Sequence, residues 1–201
     1  MNAEWHYSKD ERGVGLIQIN RPAARNAIGW DLLQGLRQQV AECGDDADLR
    51  VLVLTATGDK AFCAGADLKE RKTYSESKTR TFVKRIGALT AEIGRLPMPT
   101  ICAINGHAFG GGCELALACD LRVMAKGFQI GLTETALAII PGAGGTQRLP
   151  RIVGLAKAKE LIFTAARLTT EQALEIGLVN AVGEDVMAEA ETLVSGILRC
   201  G

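Results

Sequence analysis

Short apolar runs rich in β-branched residues alternate along the chain with longer segments of helical periodicity. Residues 29–43 and 69–96 carry apolar side chains at the spacing of one helix face. The runs that flank them are VGLIQIN at 14–20, RVLVLTAT at 50–57 and TICAIN at 100–105. Helical connections of this length join parallel strands. We therefore predict an α/β fold, organised as one domain over residues 1–201.

The second half of the chain continues the alternation with shorter elements. Pro97 and Pro99 end the helical segment 69–96, because proline cannot continue a helix. A helix is predicted over CELALACD, followed by two short strands around LRVMA and FQIGL. Short helices and turns are expected beyond them, with a last helix near 184–199.

Charge and hydropathy exclude several functional classes. The 23 basic side chains are matched by 23 acidic ones, which gives no general attraction to nucleic acid or to acidic membranes. No apolar run approaches the roughly 20 residues that span a bilayer. The beginning of the chain, MNAEWHYSKDERG, has the composition of neither a signal nor a transit peptide. We expect a cytoplasmic bacterial protein, or a mature form from the mitochondrial matrix.

The cysteine and histidine content argues against metal and thiol chemistry. None of the six cysteines forms a C-x-x-C pair, and most lie in apolar stretches where reduced cysteine packs as a small hydrophobic residue. His6 and His107 are the only histidines. We therefore expect neither a metal site nor a catalytic Cys-His pair.

The stretch GHAFGGGCELALACD, at 106–120, places three glycines and a glutamate at the start of an apolar helix. Glycine lets the backbone approach a ligand closely, and the free N–H groups of a helix start favour negative charge. A tight strand–helix turn would also use these glycines. Glu114 could simply stabilise the first turn, but a helix apolar on nearly every side indicates a buried carboxylate suited to proton transfer.

A second glycine turn and a second glutamate extend this pattern. FCAGADLKE, at 62–70, also follows an apolar run, and the N–H of Ala66 could join that of Gly111 as an oxyanion donor. Glu134 again lies in an otherwise apolar stretch, GLTETALAII. Two such glutamates favour general acid–base chemistry. The chain has no G-x-S-x-G, no P-loop, and no strand preceding GAGGTQR that would support dinucleotide binding.

Five motifs in this order resemble the enoyl-CoA hydratase/isomerase (crotonase) superfamily, over about residues 13–185. They are NRPAARNAI, AFCAGADLKE, ICAINGHAFGGGCELALACDLRV, IIPGAGGTQRLPR and ALEIGLVNAV. The resemblance implies a crotonase spiral of repeated ββα units in a single catalytic domain. It also implies a homotrimer or a dimer of trimers.

The resemblance assigns roles to the residues of both glycine turns. Ala66 and Gly111 would donate N–H groups to the thioester oxygen of an enoyl-CoA. Glu114 would activate water for attack at Cβ, and Glu134 would protonate Cα. No cofactor is implied, since coenzyme A is part of the substrate. The residues expected along coenzyme A are Ala24, Arg25, Ala27, Ala64, Gly65, Ala66, Asp67, Leu68, Lys69 and Gly111. Among the basic residues of 69–85, which otherwise suit a solvated helix face, Lys69 is the one expected to contact coenzyme A.

Members of the superfamily commonly continue with a helical C-terminal region that aids trimer contacts and closes the acyl pocket. Here the sequence ends at TLVSGILRCG, so that region is expected to be absent. GADLKER and ETALAIIPGAGGTQRLP look most similar to methylglutaconyl-CoA hydratases. Some of those relatives bind RNA through lysines on an early helix, where this chain has Trp30, Gln34 and Gln38, so RNA binding is not expected.

Three hypotheses remain at this point. The first is a hydratase that adds water across the 2,3 double bond of an enoyl-CoA. The second is a double-bond isomerase of the same superfamily, which commonly needs one catalytic carboxylate. The third is a truncated, non-catalytic crotonase fold used for assembly or RNA binding.

Overall fold

A computed structural model describes residues 3–200, which form ten strands and eight helices. The strands are β1 (Trp5–Lys9), β2 (Val14–Ile19), β3 (Val51–Ala56), β4 (Ala61–Cys63), β5 (Thr100–Ile104), β6 (His107–Phe109), β7 (Leu121–Ala125), β8 (Gln129–Gly131), β9 (Leu168–Thr169) and β10 (Ala181–Gly183). The helices are α1 (Trp30–Asp45), α2 (Leu68–Arg71), α3 (Glu76–Ile93), α4 (Gly111–Ala118), α5 (Gly145–Val153), α6 (Leu155–Phe163), α7 (Thr170–Glu175) and α8 (Val186–Leu198).

The strands form two sheets of different size. The larger has the order β1-β2-β3-β5-β7-β10, in which only the β1–β2 pair is antiparallel. The smaller has the order β4-β6-β8-β9, with β4, β6 and β8 parallel and β9 antiparallel. The predicted α/β fold with parallel strands and helical crossovers is thereby confirmed.

The central strands of the larger sheet are buried on both faces. Leu52 and Leu54 of β3 face one apolar core, whereas Val51 and Val53 face a second core that includes α8. This division follows the two-residue period of a strand. It explains why β3 is apolar at five of its six positions without alternation, as expected for a parallel strand covered on both sides.

The sequence located most long elements, but only some of the short strands, among them β7 and β8. Segment 69–96 forms two helices, α2 and α3, because the Ser75 hydroxyl accepts a hydrogen bond from the N–H of Lys78 and so begins α3 afresh. The predicted strands at 14–20, 50–57 and 100–105 are confirmed. The strands without a sequence prediction are β1, β4, β6, β9 and β10.

The smaller sheet determines where the candidate functional residues meet. Its parallel strands β4, β6 and β8 are neighbours, so their carboxyl ends lie at the same edge. β4 leads through Gly65 into α2, and β6 leads through Gly110 into α4. β8 leads to a 3₁₀ turn at Glu134–Leu137. Three loops that are distant in sequence are therefore brought together.

Candidate active site

The three loops surround a cleft of about 220 Å³ that contains both predicted glutamates. Most of its wall is apolar or glycine backbone, and its only charged lining side chains among the described residues are Arg71, Glu114 and Glu134. No cysteine, serine, histidine or lysine of residues 3–200 lines it. The wall is formed by Ala64, Gly65, Ala66, Leu68, Arg71, Phe82, Val83, Ile86, Gly110, Gly111, Glu114, Thr133, Glu134, Leu137, Ile139, Ile140, Gly142 and Ala143.

The two glycine turns lie against each other at one side of this cleft. A Cβ built on Gly65 would be 3.3 Å from the nitrogen of Gly111, and one built on Gly111 would be 3.7 Å from the nitrogen of Ala66. Ala66 is held by a bridge to Ile28, in which Ile28 N–H donates to Gly65 O and Asp67 N–H donates to Ile28 O. That pattern leaves the N–H of Ala66 unused.

Both predicted oxyanion donors are therefore free to bind an oxygen atom. Gly111 is the first residue of α4, where an N–H has no acceptor within the helix. Within residues 3–200, no hydrogen bond is recorded from the N–H of Ala66 or of Gly111. Two adjacent, preorganised N–H groups can stabilise an oxygen that gains negative charge.

Glu114 lies in the first turn of α4, which is buried from Gly112 to Ala118. Glu114 is only 3% exposed, and its Oε1 accepts hydrogen bonds from the N–H groups of Ala143 (2.7 Å) and Gly145 (2.9 Å). Burial raises the pKa of Glu114, and these two donors together with Arg148 oppose the rise. These contacts offset part of the cost of burying the charge, and the pKa of Glu114 stays above its usual range.

Glu134 has a different environment. It is 8% exposed, and its Oε2 is buried without a hydrogen-bond partner among the described residues. Burial, with a further contribution from the negative charge of Glu114, raises the pKa of Glu134 to about 7. The cleft therefore holds one carboxyl group whose charged form is favoured by two backbone donors, and one, without a partner on Oε2, that carries a proton below about pH 7.

Six of the ten residues expected along coenzyme A line one or both of two adjacent cavities. Ala64, Gly65, Ala66, Leu68 and Gly111 line the cleft itself. Arg25 and Ala64 line a second cavity of about 360 Å³ beside it, together with Asp59, Lys60, Ala61, His107, Phe109 and Phe128. Since Ala64 belongs to both linings, the two cavities adjoin.

The other residues of that expected set line neither cavity. Lys69 is exposed on α2, and Ala24 is half-buried. Ala27 is buried and its carbonyl accepts a hydrogen bond from Arg21. Asp67 caps α2 by accepting from the N–H groups of Lys69 and Glu70. It also pairs with Arg21 at 3.2 Å.

Gly110, one of the three glycines singled out in the sequence, has a φ of 52°, and a Cβ there would meet Glu134 Oε1. Sequence reasoning missed two other residues of the site. Ala143 and Gly145 supply the donors to Glu114. The signal for them was the motif GAGG, which is needed at a carboxylate rather than at a phosphate.

A sequence model of the enoyl-CoA hydratase/isomerase family matches residues 9–199. The chain belongs to this family. It is 50% identical over 190 residues to the putative enoyl-CoA hydratase/isomerase YngF of Bacillus subtilis, covering 94% of this chain and 73% of that protein. It is 47% identical over 179 residues to the mitochondrial methylglutaconyl-CoA hydratase of Rattus norvegicus, covering 89% of this chain and 57% of the relative.

The fold of an enoyl-CoA hydratase from Bacillus anthracis superposes closely on this hydratase/isomerase family member. The TM-score is 0.94 at 44% identity, over 97% of this chain and 76% of that one. The predicted superfamily and its fold are confirmed. Family relatives occur in bacteria and in mitochondria. Within residues 3–200, no helix has the length and apolarity to cross a membrane.

Proposed function

We propose that this chain is an enoyl-CoA hydratase, which adds water across the 2,3 double bond of an enoyl-CoA thioester. One observation carries the proposal: two buried carboxylates with opposite hydrogen-bond environments share a cleft with two free N–H groups. A single carboxylate would suffice to move a proton for an isomerisation. Retention of both favours hydration.

In this proposal the N–H groups of Ala66 and Gly111 bind the thioester oxygen. They stabilise the negative charge that develops there when water attacks Cβ. Glu114 accepts a proton from that water as the new C–O bond forms. Glu134, protonated below about pH 7, gives its proton to Cα as the enolate collapses. Transfer of a proton from Glu114 to Glu134, directly or through water, then restores the starting state.

The first test is hydration of crotonyl-CoA by the 201-residue chain, followed by the loss of enone absorbance and by identification of the 3-hydroxyacyl product. Glu114→Gln and Glu134→Gln should each lower the rate on the order of 10²- to 10⁴-fold. Glu76→Gln, at an exposed residue paired with Arg80 on α3, is the matched control and should leave the rate unchanged. A shifted double bond as the product would favour an isomerase. Activity of both site variants within a few-fold of wild type would exclude the two-glutamate mechanism.

We further propose an acyl group that carries a carboxylate, as in methylglutaconyl-CoA. Arg71 supports this proposal because it is the one cationic side chain of the described residues in an otherwise largely apolar wall. Three of the relatives carry the name methylglutaconyl-CoA hydratase. The ratio of kcat/KM for methylglutaconyl-CoA and crotonyl-CoA tests it. Arg71→Gln should lower that ratio, and an unchanged ratio would contradict the assignment.

The proposed assembly is a homotrimer or a dimer of trimers. Large apolar side chains are exposed near the cleft and on α6, as expected of a surface that is covered on association; they are Leu137, Ile139, Ile140, Leu155 and Phe163. Light scattering on the purified chain would distinguish a trimer or hexamer from a monomer, which would contradict this proposal.

A further inference from the structure

Ala143 lies between the buried carboxylate of Glu114 and the guanidinium of Arg148. Its N–H donates to Glu114 Oε1 at 2.7 Å, and its carbonyl accepts from Arg148 Nη1 at 3.1 Å. The hydroxyl oxygen of Thr90 lies 2.6 Å from the same carbonyl. Ala143 therefore links the Glu114 carboxylate, on its N–H side, to Arg148 and Thr90, on its carbonyl side.

Arg148 is fixed in turn by helix α3. Its Nη2 donates to the carbonyl of Thr90 at 2.8 Å, and its Nη1 lies 3.4 Å from the Thr90 hydroxyl. Thr90 is 1% exposed. The guanidinium thus bridges α3, the loop at 143–145 and α5, and its planar fork suits simultaneous donation to two carbonyls.

The glycines of the GAGG motif make this arrangement possible. Gly144 has a φ of 97°, and a Cβ there would lie 2.0 Å from Arg148 Nη1. A Cβ on Gly145 would lie 3.1 Å from Glu114 Cγ. Both glycines are required for the loop to fit between the arginine and the glutamate. The close approach of Arg148 to Gly144 and of Glu114 to Gly145 explains the GAGG motif.

Few charges surround the pair. Arg148 is the cation that stabilises the ionised form of Glu114, and Glu134 faces Glu114 from the turn after β8. Burial raises the pKa of the Cys113 thiol, next to Glu114 on α4, and the charges of both glutamates raise it further. Burial lowers the pKa of Arg148, and the charge of Glu114 opposes that change; Cys119, the C-cap residue of the same helix, also lies near the guanidinium. α3 contributes the uncharged Thr90 to this contact.

We propose that Arg148 is a positioning residue for Glu114. By holding the carbonyl of Ala143, it keeps the N–H groups of Ala143 and Gly145 on Oε1 and fixes the carboxylate in one orientation. No hydrogen bond of the described residues uses Glu114 Oε2, which leaves that oxygen for the reacting water. The effect on proton transfer rests on the proposed function, whereas the effect on the carboxylate of Glu114 does not.

The proposal is tested with Arg148→Met, Arg148→Lys and Thr90→Val, after circular dichroism has shown that each variant is folded. Arg148→Met should lower kcat on the order of 10- to 100-fold with KM within a few-fold, since misplacement of a catalytic group costs this much. Its acid limb in the pH profile of kcat/KM should move to higher pH, because the cation that favours ionised Glu114 is gone. Arg151→Met, on the exposed side of the same helix, is the matched control and should behave as wild type.

The two milder variants separate charge from geometry. Arg148→Lys retains the charge, so its acid limb should return toward that of wild type while kcat recovers only in part. Thr90→Val retains Arg148 but removes the hydroxyl beside Ala143, so kcat should fall with a smaller pH shift. If Arg148→Met does not fold, these two variants decide. A wild-type acid limb together with wild-type kcat in the folded variants would overturn the proposal.

A second readout is independent of turnover. Infrared difference titration of the carboxylate band that Glu114→Gln removes reports the protonation of Glu114 directly. The band should titrate at higher pH in Arg148→Met than in wild type. An unshifted band would overturn the inference even in an active protein. A shifted band in a chain that does not hydrate enoyl-CoA would leave the inference intact and contradict the proposed function alone.

Discussion

Glu134 lies against the backbone of Gly110, so that a Cβ on Gly110 would be 3.3 Å from Glu134 Oε1. Gly110 also has a φ of 52°, in the region that favours glycine, and its carbonyl accepts the N–H of Glu114 at 2.9 Å. The turn that exposes the first N–H of α4 thus also sets the distance between the backbone and the second glutamate.

Gly110→Ala should therefore displace Glu134 and lower kcat for hydration at least about 10-fold, since small misplacements of catalytic groups are costly. The positive φ adds a loss of stability of about 1 kcal/mol. Gly127→Ala is the control, because Gly127 also has a positive φ (82°) but has no atom within 4 Å of an added Cβ. It should lose similar stability and retain activity. Equal activity in the two variants would contradict a role for the close approach of Gly110 to Glu134.

Glu134→Gln should make the fold less sensitive to rising pH. The pKa of Glu134 is raised from 4.5 to about 7 in the folded protein, so the folded state holds this proton more tightly than the unfolded chain does. Below the pKa of the unfolded chain, Glu134 is protonated in both states and its titration does not change the free energy of unfolding. As pH rises from there to the pKa in the folded state, ionisation is favoured in the unfolded chain and the fold loses stability. Between about pH 4.5 and 8, wild type should lose on the order of 2 kcal/mol relative to the variant. Urea unfolding at both ends of this range measures the difference. An equal change in the free energy of unfolding for wild type and variant would contradict the prediction.

The pH profile of kcat/KM should be bell-shaped in wild type. The acid limb reports ionisation of Glu114, whose pKa is raised by burial, and the basic limb reports loss of the Glu134 proton near pH 7. Activity should consequently decline above about pH 7. Steady-state hydration of crotonyl-CoA across the pH range, followed by the loss of enone absorbance, tests this. A profile that is flat into the alkaline range would assign the general acid to a group other than Glu134.

Gly112→Ala tests the packing of α4 on β4. A Cβ on Gly112 would lie 2.1 Å from the carbonyl oxygen of Cys63, which is backbone and has no room to move. The variant should lose about 3 kcal/mol or more, or fail to fold. Gly87→Ala, within α3, would place its Cβ at an ordinary 3.5 Å from Gly142 O and should be neutral or slightly stabilising. Chemical denaturation of both variants provides the comparison.

The long elements and the two glutamates could be predicted because each has a local signal. β3 begins with four consecutive apolar residues, and Glu114 lies in the first turn of a helix that is apolar on nearly every side. The short strands β4 and β6 have only three residues each, too few to show a period. Their pairing depends on contacts with each other, so local sequence could not reveal the smaller sheet.

The partners of Glu114 could not be predicted for a similar reason. Ala143 and Arg148 are distant from Glu114 in sequence, and Ala143 binds the carboxylate through a backbone N–H, which its residue type does not reveal. Their place follows from the packing of α5 beside α4, which carries Gly145 to within 2.9 Å of Glu114 Oε1. The GAGG motif showed that a close backbone approach was needed, but not which group approached.

The larger sheet also bears on synthesis of the chain, because β7 pairs with β10 although β10 begins at Ala181 and β7 ends at Ala125. While the ribosome adds the residues between them, at about 5–20 per second, β7 has an open edge whose N–H and C=O groups can pair with another chain. Helix α8, which covers the second core with Val186, Ala190 and Val194, emerges later still. A nascent chain therefore passes through an interval of several seconds in which both an edge strand and an apolar sheet face are available to a chaperone or to aggregation.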